Sequence, residues 1–441
     1  MASAIPPPST HPSSPPGTRY TDYPTALGVA AVVFFMWGFL TCLNDILIPH
    51  LKSTFKLGYA EAMLVQFTFF GAYFLMALPA GRLVAWLGYK KGIVAGLAIA
   101  ALGALGFWPA AATHLYPAFL AALFVLATGI TLLQVAANPY VALLGPERTS
   151  SSRLTLAQAL NSFGTFLAPW FGGLLILSSV VKSPEQLAAL PEAEQLAYQT
   201  QQAHAVQLPY LGLAVVLALL AVFVWLFRLP ALRGATDQGE QGHHGFAEVL
   251  RHPHVLFGVI GIFCYVGAEV SIGSFMVNYL SLPEIGHMSE QDAAKYVSYY
   301  WLGAMVGRFI GSALTAAFPP RRLLALFGVI NALLVLATMS SRGDLAVYSI
   351  IAIGLFNSIM FPTIFALGIE RLGPLTSKAS SLLIMAIVGG AIVPWVQGVF
   401  ADRIGLQHAF FLPLLCYLYV VFYGLSGSRL RGDLAIDGEG R

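Results

Sequence analysis

The sequence contains little charge. Only 10% of its 441 residues are Asp, Glu, Lys or Arg, against about 25% in an average soluble protein. So few charges cannot cover a globule of 47.2 kDa, which argues against a water-soluble fold. The chain also lacks the dense Lys/Arg stripe of a nucleic-acid-binding protein, since its net charge is only +3. The high hydrophobic content of 57% excludes intrinsic disorder over most of the length.

Motifs for catalysis or metal binding are also absent. The three cysteines, Cys42, Cys264 and Cys416, each lie in an apolar run, and no CxxC pair occurs, which argues against a disulfide framework or a structural metal. No GxxxxGK[ST] loop is present to bind ATP. His243 and His244 lie in a Gly-rich stretch without partners at metal-ligand spacing. The sequence therefore predicts neither an enzyme nor a cofactor.

Long apolar runs dominate the chain, and the mean hydropathy is +0.75. A helix that crosses a bilayer needs about 20 apolar residues, whereas strands of a membrane barrel read as short alternating segments. The runs here are long and unbroken, so we predict an all-α membrane protein with twelve transmembrane helices. The predicted spans are 26–48, 61–86, 91–112, 116–144, 154–179, 208–229, 254–281, 293–318, 321–340, 345–369, 376–400 and 407–427.

Hydrophilic segments divide the predicted spans into two groups of six. We predict a disordered Pro/Ser-rich tail at 1–25, a six-helix bundle at 26–229, a linker at 230–253, a second six-helix bundle at 254–428 and a tail at 429–441. Lys and Arg are unevenly distributed between the two sides. On the side opposite the linker, the only basic residues of the loops and span ends are Lys52, Lys56, Lys182, Lys295, Arg342 and Arg403. By the positive-inside rule, both termini and the linker are cytoplasmic, in a bacterial inner membrane.

The two halves resemble each other in sequence. NPYVALLGPER at 138–148 matches FPTIFALGIER at 361–371 with an offset of 223 residues, and APWFGG at 168–173 matches VPWVQG at 393–398 with an offset of 225. Six spans in each repeat give the two halves the same orientation. Parallel repeats of this kind occur in transporters that bind substrate near the bilayer midplane between two lobes.

Three ionisable residues lie within or at the end of predicted spans, where a charge is costly and usually functional. Asp45 and Glu269 are 224 residues apart and so occupy equivalent places in the two halves. A buried carboxylate whose access to water changes can take up and release a proton, which makes both candidates for proton coupling. Alternatively, Asp45 caps its helix in contact with water, and Glu269 belongs to a structural ion pair. Arg308 is a candidate for a gating or structural pair, or for substrate contact.

Uncharged amides also gather in the spans. Asn and Gln donate and accept hydrogen bonds, as a sugar requires, but they also join membrane helices to each other. The candidate substrate-binding residues are Asn44, Asp45, Gln134, Gln158, Asn161, Glu269 and Asn357. Aromatic rings can stack on a sugar, although most aromatics in membranes serve packing or interfacial anchoring. The candidates for stacking are Trp37, Tyr265, Tyr300, Trp301 and Trp395.

Several motifs together resemble one transporter family. They include LNDILIPHLK at 43–52, QVAANPYVALLGPE at 134–147, RLTLAQALNSFG at 153–164, FCYVGAEVSIGSF at 263–275, GRFIGS at 307–312 and FPTIFALGIERLG at 361–373. These stretches are similar to the fucose–galactose–glucose:proton symporter family of the major facilitator superfamily, over nearly the whole chain after residue 25. The segment PAGRLVAWLGYKKGI at 79–93 resembles a degenerate gating motif, which makes Arg82 and Lys90 gating candidates.

The resemblance implies specific roles. Asp45 matches an acidic residue linked to sugar binding and coupling, and Gln158 and Asn161 match amides that contact the sugar. The fucose branch has Glu where this chain has Gln134, and Gln where this chain has Glu269. With Gln at position 134 and Glu at position 269, the chain resembles the glucose/galactose branch. The resemblance therefore favours Glu269 as the residue that exchanges the proton.

The predicted function is therefore hexose import by proton symport through alternating access. Three alternatives remain: a sodium-coupled symporter, a carrier of N-acetylglucosamine or fucose, and a sugar sensor that does not transport. The predicted partners are a hexose, a proton or sodium ion, and the lipid bilayer, with no nucleic acid and a monomeric state.

Overall fold

Long helices account for nearly all of the described residues in the computed structural model. The structure describes residues 23–55, 59–113, 115–175, 207–230 and 245–430, together with residues 191, 194, 195 and 197. Side chains are described over these ranges except at residues 23, 42–63, 66, 169–175, 290, 291 and 294. Most of each predicted tail and most of the linker lie outside this description.

Six long helices lie in the described part of the first half. They are α1 (Tyr23–Phe55), α2 (Tyr59–Leu87), α3 (Tyr89–Thr113), α4 (Tyr116–Leu143), α5 (Ser150–Leu175) and α6 (Gln207–Leu226). A short helix, Phe246–Leu250, precedes the second half and is called the linker helix below. At 1.5 Å per residue, even the shortest of the six, α6, is about 30 Å long, which matches the hydrocarbon core of a bilayer.

The second half repeats this arrangement, with three of its helices interrupted. It comprises α7 (Pro253–Leu280), α8 (Glu290–Ala317), α9 (Pro320–Ser340), α10 (Asp344–Asn357 and Met360–Gly368), α11 (Thr376–Met385, Ala386–Val388 and Gly389–Ile404) and α12 (Leu406–Ala409, Phe411–Phe422 and Tyr423–Gly427). The break in α10 lies just before Pro362, which has no N–H for the carbonyl of Ser358. The twelve predicted spans each coincide with one of these helices.

Ten segments of the described chain are long and apolar enough to cross a membrane. The two long helices that do not meet this criterion are α5 and α8, which carry Arg153 and Arg308 and many hydroxyl side chains. Their polarity reflects their position, since α5 and α8 pack against each other between the halves. α2 packs against α11 in the same way, so these four helices form most of the contact between the two bundles.

Within each bundle the helices approach closely at glycines. Gly38 of α1 lies against the backbone of Asn161 in α5, and Gly164 of α5 lies against the backbone of Phe35 in α1. A Cβ atom at either glycine would collide with the facing main chain, so both positions need Gly. This contact holds α5 against α1 and fixes which residues of α5 face the second half.

Candidate functional site

A carboxylate and a guanidinium of the second half lie close together between the bundles. Glu269 of α7 and Arg308 of α8 are both largely buried, with 13% of each side chain exposed, and Arg308 Nη2 lies 3.9 Å from Glu269 Oε1. Tyr265, one turn before Glu269, donates its hydroxyl to the same carboxylate oxygen at 2.8 Å. The structure thus brings together two of the predicted ionisable residues and one of the predicted aromatics.

Arg308 also reaches the first half. Its Nη1 donates a hydrogen bond to Ser162 Oγ in α5, while its Nε has no partner among the described atoms. Ser162 in turn donates to the carbonyl of Gln158, one turn earlier, at 3.0 Å. Arg308 therefore connects the carboxylate of Glu269 to the face of α5 that carries the predicted sugar-binding amides.

The two amides of α5 are placed differently from each other. Asn161 donates from Nδ2 to the carbonyl of Phe34 at 2.9 Å, so its donor group joins α5 to α1. Gln158 is buried, and its side chain makes no hydrogen bond to another described residue. Of this pair, Gln158 has the side chain better able to bind a ligand, whereas Asn161 also supports helix packing.

Gln134 lies on α4 and is buried in the first half. Its Nε2 donates to the hydroxyl of Tyr73 in α2 at 2.6 Å. Its Oε1 is buried without a partner in the described structure. A buried amide oxygen without a donor is unfavourable unless water or a ligand satisfies it. Gln134 therefore offers a free acceptor, and Tyr73 orients it.

Asn357, by contrast, is part of a closed network within the second half, and its side chain is fully buried. Its Oδ1 accepts hydrogen bonds from Asn331 Nδ2 at 2.8 Å and from Tyr417 OH at 2.7 Å. Its Nδ2 donates to Tyr300 OH at 2.7 Å, and its backbone carbonyl accepts from Tyr265 OH at 3.1 Å. In this conformation Asn357 positions Tyr265, which itself holds Glu269.

The remaining predicted residues lie elsewhere. Asn44 and Asp45 are on α1, in the part whose side chains lie outside the description. Trp37 is buried and packs on Phe34, with ring centroids 5.0 Å apart. Trp301 is 41% exposed and meets the ring of Tyr300 edge-on, whereas Trp395 is 65% exposed. Exposure of Trp395 at that level is typical of a side chain that faces lipid.

The halves also contact each other on the side where the linker joins them, called the linker side below. Glu147, in the loop after α4, pairs with Arg371, in the loop after α10, at 3.8 Å. Ser152 donates to the carbonyl of Ser312 at 2.7 Å, and Ser380 donates to the carbonyl of Val135 at 3.0 Å. These contacts close the linker side, around a cavity of about 480 Å³.

A buried arginine supports this closed side, and a partly buried carboxyl group borders the cavity. Arg153 donates to the carbonyls of Val141 at 3.1 Å and Pro146 at 3.0 Å, and so holds the loop that carries Glu147. Glu370 borders the cavity. Burial and the neighbouring Glu147 carboxylate raise the pKa of Glu370 above its usual value, although Arg371 and Arg321 oppose this effect.

The two gating candidates, one near the end of α2 and one at the start of α3, contact other groups. The Arg82 guanidinium lies 5.6 Å from the ring centre of Phe246 in the linker helix. Lys90 donates to the carbonyl of Trp225 at 2.9 Å. Sequence reasoning missed Tyr73 and Ser162, because a single Tyr or Ser in an apolar helix carries no distinctive signal. It also missed the pairing of Glu147 with Arg371, although both lie in the repeated motif.

The chain matches known transporters over most of its length. The sequence profile of the Major Facilitator Superfamily matches residues 27–387. The glucose/galactose transporter of Brucella abortus (strain 2308) is 49% identical over 429 residues, which are 97% of this chain and 100% of that protein. The L-fucose-proton symporter of Escherichia coli (strain K12) is 37% identical over 402 residues, 90% of this chain and 92% of that protein.

A solved structure is similar to the whole fold. It is described as that of the transporter FucP in the outward conformation, and it superimposes with a TM-score of 0.85 at 35% identity, covering 91% of this chain and 98% of that one. The likeness extends over both bundles, in agreement with the twelve-helix architecture built above.

Proposed function

Since the chain belongs to the major facilitator superfamily, we propose that it imports glucose or galactose together with a proton by alternating access. The substrate assignment is supported by the 49% identity to a protein named as a glucose/galactose transporter. Proton coupling is supported by the relative named as an L-fucose-proton symporter. The absence of an ATP-binding loop from the sequence agrees with transport driven by a gradient.

One observation carries the coupling mechanism. Glu269, Arg308 and Ser162 form a chain of contacts from an acid of one half to the substrate-binding helix of the other. When Glu269 accepts a proton, its attraction to Arg308 falls, because a neutral carboxyl no longer pairs with the guanidinium. Arg308 is then held mainly by Ser162. Protonation of Glu269 thereby changes the link between the two halves, which is what coupling requires.

Sugar binding is assigned to the polar groups near this link. Gln134 offers a free acceptor, and Gln158 offers a buried side-chain amide that bonds to no other described residue, both in the first half. We assign Asn44 and Asp45 of α1 to the same site on the strength of the repeat and the family resemblance. Asn161 and Asn357 are assigned mainly to positioning, since their amides bond to other helices or side chains.

The closed linker side is proposed to face the cytoplasm, with both termini on that side of a bacterial inner membrane. The Lys/Arg distribution supports this orientation. The structure then represents the outward-open conformation, as in the similar structure described as outward. We also propose that the protein is a monomer. Its proposed domain boundaries are 1–25, 26–229, 230–253, 254–428 and 429–441.

Uptake of labelled sugar into proteoliposomes tests this function. We expect glucose and galactose to compete for uptake, and we expect an inward pH gradient to drive accumulation without sodium. A proton that moves through 100 mV yields roughly 2.3 kcal/mol, or about fiftyfold accumulation. Accumulation that follows sodium and ignores pH would overturn the proton assignment. Preferential competition by fucose or N-acetylglucosamine would overturn the choice of sugar.

A further inference from the structure

An apolar groove runs along the outer surface of the first half, between α3 and α6. Its volume is about 630 Å³. The residues that line it include Val94, Ala98 and Leu105 of α3 and Leu211, Ala218 and Trp225 of α6. Both helices pack against each other and against other helices of the first half. The groove is therefore separate from the transport site between the halves.

The length of the groove is close to that of one leaflet of a bilayer. Its lining residues extend over eleven residues on α3, about 16 Å, and over fourteen residues on α6, about 21 Å. Half of the hydrocarbon core is about 15 Å thick. Large apolar side chains along it, such as Leu102 and Val222, are exposed. A single acyl chain of a lipid would cover this surface.

Positive charge collects at the linker-side end of the groove. Lys90 donates to the carbonyl of Trp225 there, and so lies directly at the end of the groove. Lys91 is exposed and precedes Val94 and Ala98 by three and seven residues, which places it on the same face of α3. Arg228 is exposed and follows α6 by two residues. Neither helix contains an acidic residue, so this end is cationic.

We propose that this groove binds an anionic phospholipid. The acyl chain lies between α3 and α6, and Lys90, Lys91 and Arg228 bind the phosphate of the headgroup. Trp225 is exposed at this end, where Trp side chains of membrane proteins meet the headgroup region. A second copy of the chain in the same orientation is a less suitable occupant, because the cationic ends of the two grooves would then face each other. A free phosphate would leave the apolar groove uncovered.

Native mass spectrometry of the purified protein tests this site, with phosphatidylglycerol and phosphatidylcholine as probes. We expect phosphatidylglycerol to remain bound in preference. The double variant Lys91→Gln/Arg228→Gln should weaken this binding on the order of tenfold, since each cation near an anionic surface contributes to attraction. Ala218→Phe should also weaken it, by filling the groove. Matched controls are Arg342→Gln/Arg403→Gln, exposed on the opposite side, and Leu333→Phe, on the exposed face of α9.

Three results would overturn the proposal. Equal binding of the two lipids would remove the role of the headgroup charge. Unchanged phosphatidylglycerol binding in Ala218→Phe would show that the acyl chain lies elsewhere. A dimer that Ala218→Phe dissociates would make the groove an interface between copies of this chain. Sugar counterflow in phosphatidylcholine vesicles checks that each variant is folded.

Discussion

Arg308 of α8 bonds across the boundary between the two bundles to Ser162 of α5. Because Arg308 also lies 3.9 Å from Glu269, one guanidinium links the proposed proton site to α5, the helix that carries the proposed sugar-binding residue Gln158. A change at either site therefore acts on a shared group. Coupling in this protein is then a question of how strongly Arg308 is held by each partner.

Removal of the Ser162 hydroxyl should weaken this connection. A hydrogen bond to a charged group contributes about 1.5–3 kcal/mol, so we expect Ser162→Ala to lower the initial rate of proton-driven uptake about tenfold or more. Ser349→Ala is the control, since Ser349 bonds to Thr338 within the second half. Equal rates for Ser162→Ala and Ser349→Ala would show that the Ser162 contact carries no coupling.

Asn357 should contribute to stability more than to sugar contact. Asn357→Ala leaves Asn331, Tyr300 and Tyr417 without their partner. Side-chain hydrogen bonds between membrane helices average about 0.6 kcal/mol, so the loss is about 2 kcal/mol. We expect a lower midpoint of thermal unfolding in detergent, with a smaller shift for Asn331→Ala, which loses one of these bonds. A normal midpoint combined with lost sugar binding would instead make Asn357 a ligand-binding residue.

The ion pair of Glu147 and Arg371 should favour the state that is closed on the linker side. Both side chains are more than half exposed, so the pair contributes only about 0.2–1 kcal/mol. Arg371→Glu should lengthen the distance between spin labels at the linker-side ends of α2 and α9, and Glu147→Arg in the same chain should restore it. Reversal of Arg342, which pairs with Glu284 within the second half, should leave the distance unchanged. No change with Arg371→Glu would contradict this role.

Glu370 should make stability depend on pH. Its pKa is raised in the folded protein above the usual 4.5, so the ionised form is disfavoured by folding. That destabilisation is fully present above the raised pKa and disappears as pH falls below about 4.5. We expect Glu370→Gln to unfold at a higher temperature than the wild type at pH 8 and at a similar temperature near pH 4. An unchanged difference between the two proteins across this range would contradict the assignment.

The helices could be predicted from the sequence because lipid leaves few alternatives to long apolar helices. The repeat also brought Glu147 and Arg371 to attention, but repeat matching aligns equivalent positions and does not show which ones touch. The amides are harder to assign. Gln134 and Asn357 look alike in sequence, yet one has a free acceptor and the other is fully bonded. That difference depends on Asn331, Tyr300 and Tyr417, which come from three other helices.

The most direct test of the central claim compares two assays of Glu269→Gln in proteoliposomes. Gln keeps the shape of the side chain but cannot exchange a proton. We predict that sugar counterflow, which needs no net proton movement, remains within about twofold of the wild type, while a pH gradient produces no accumulation above equilibrium. Glu284→Gln, an exposed control, should retain both activities. Full pH-driven accumulation by Glu269→Gln would contradict the assignment of Glu269 as the coupling residue.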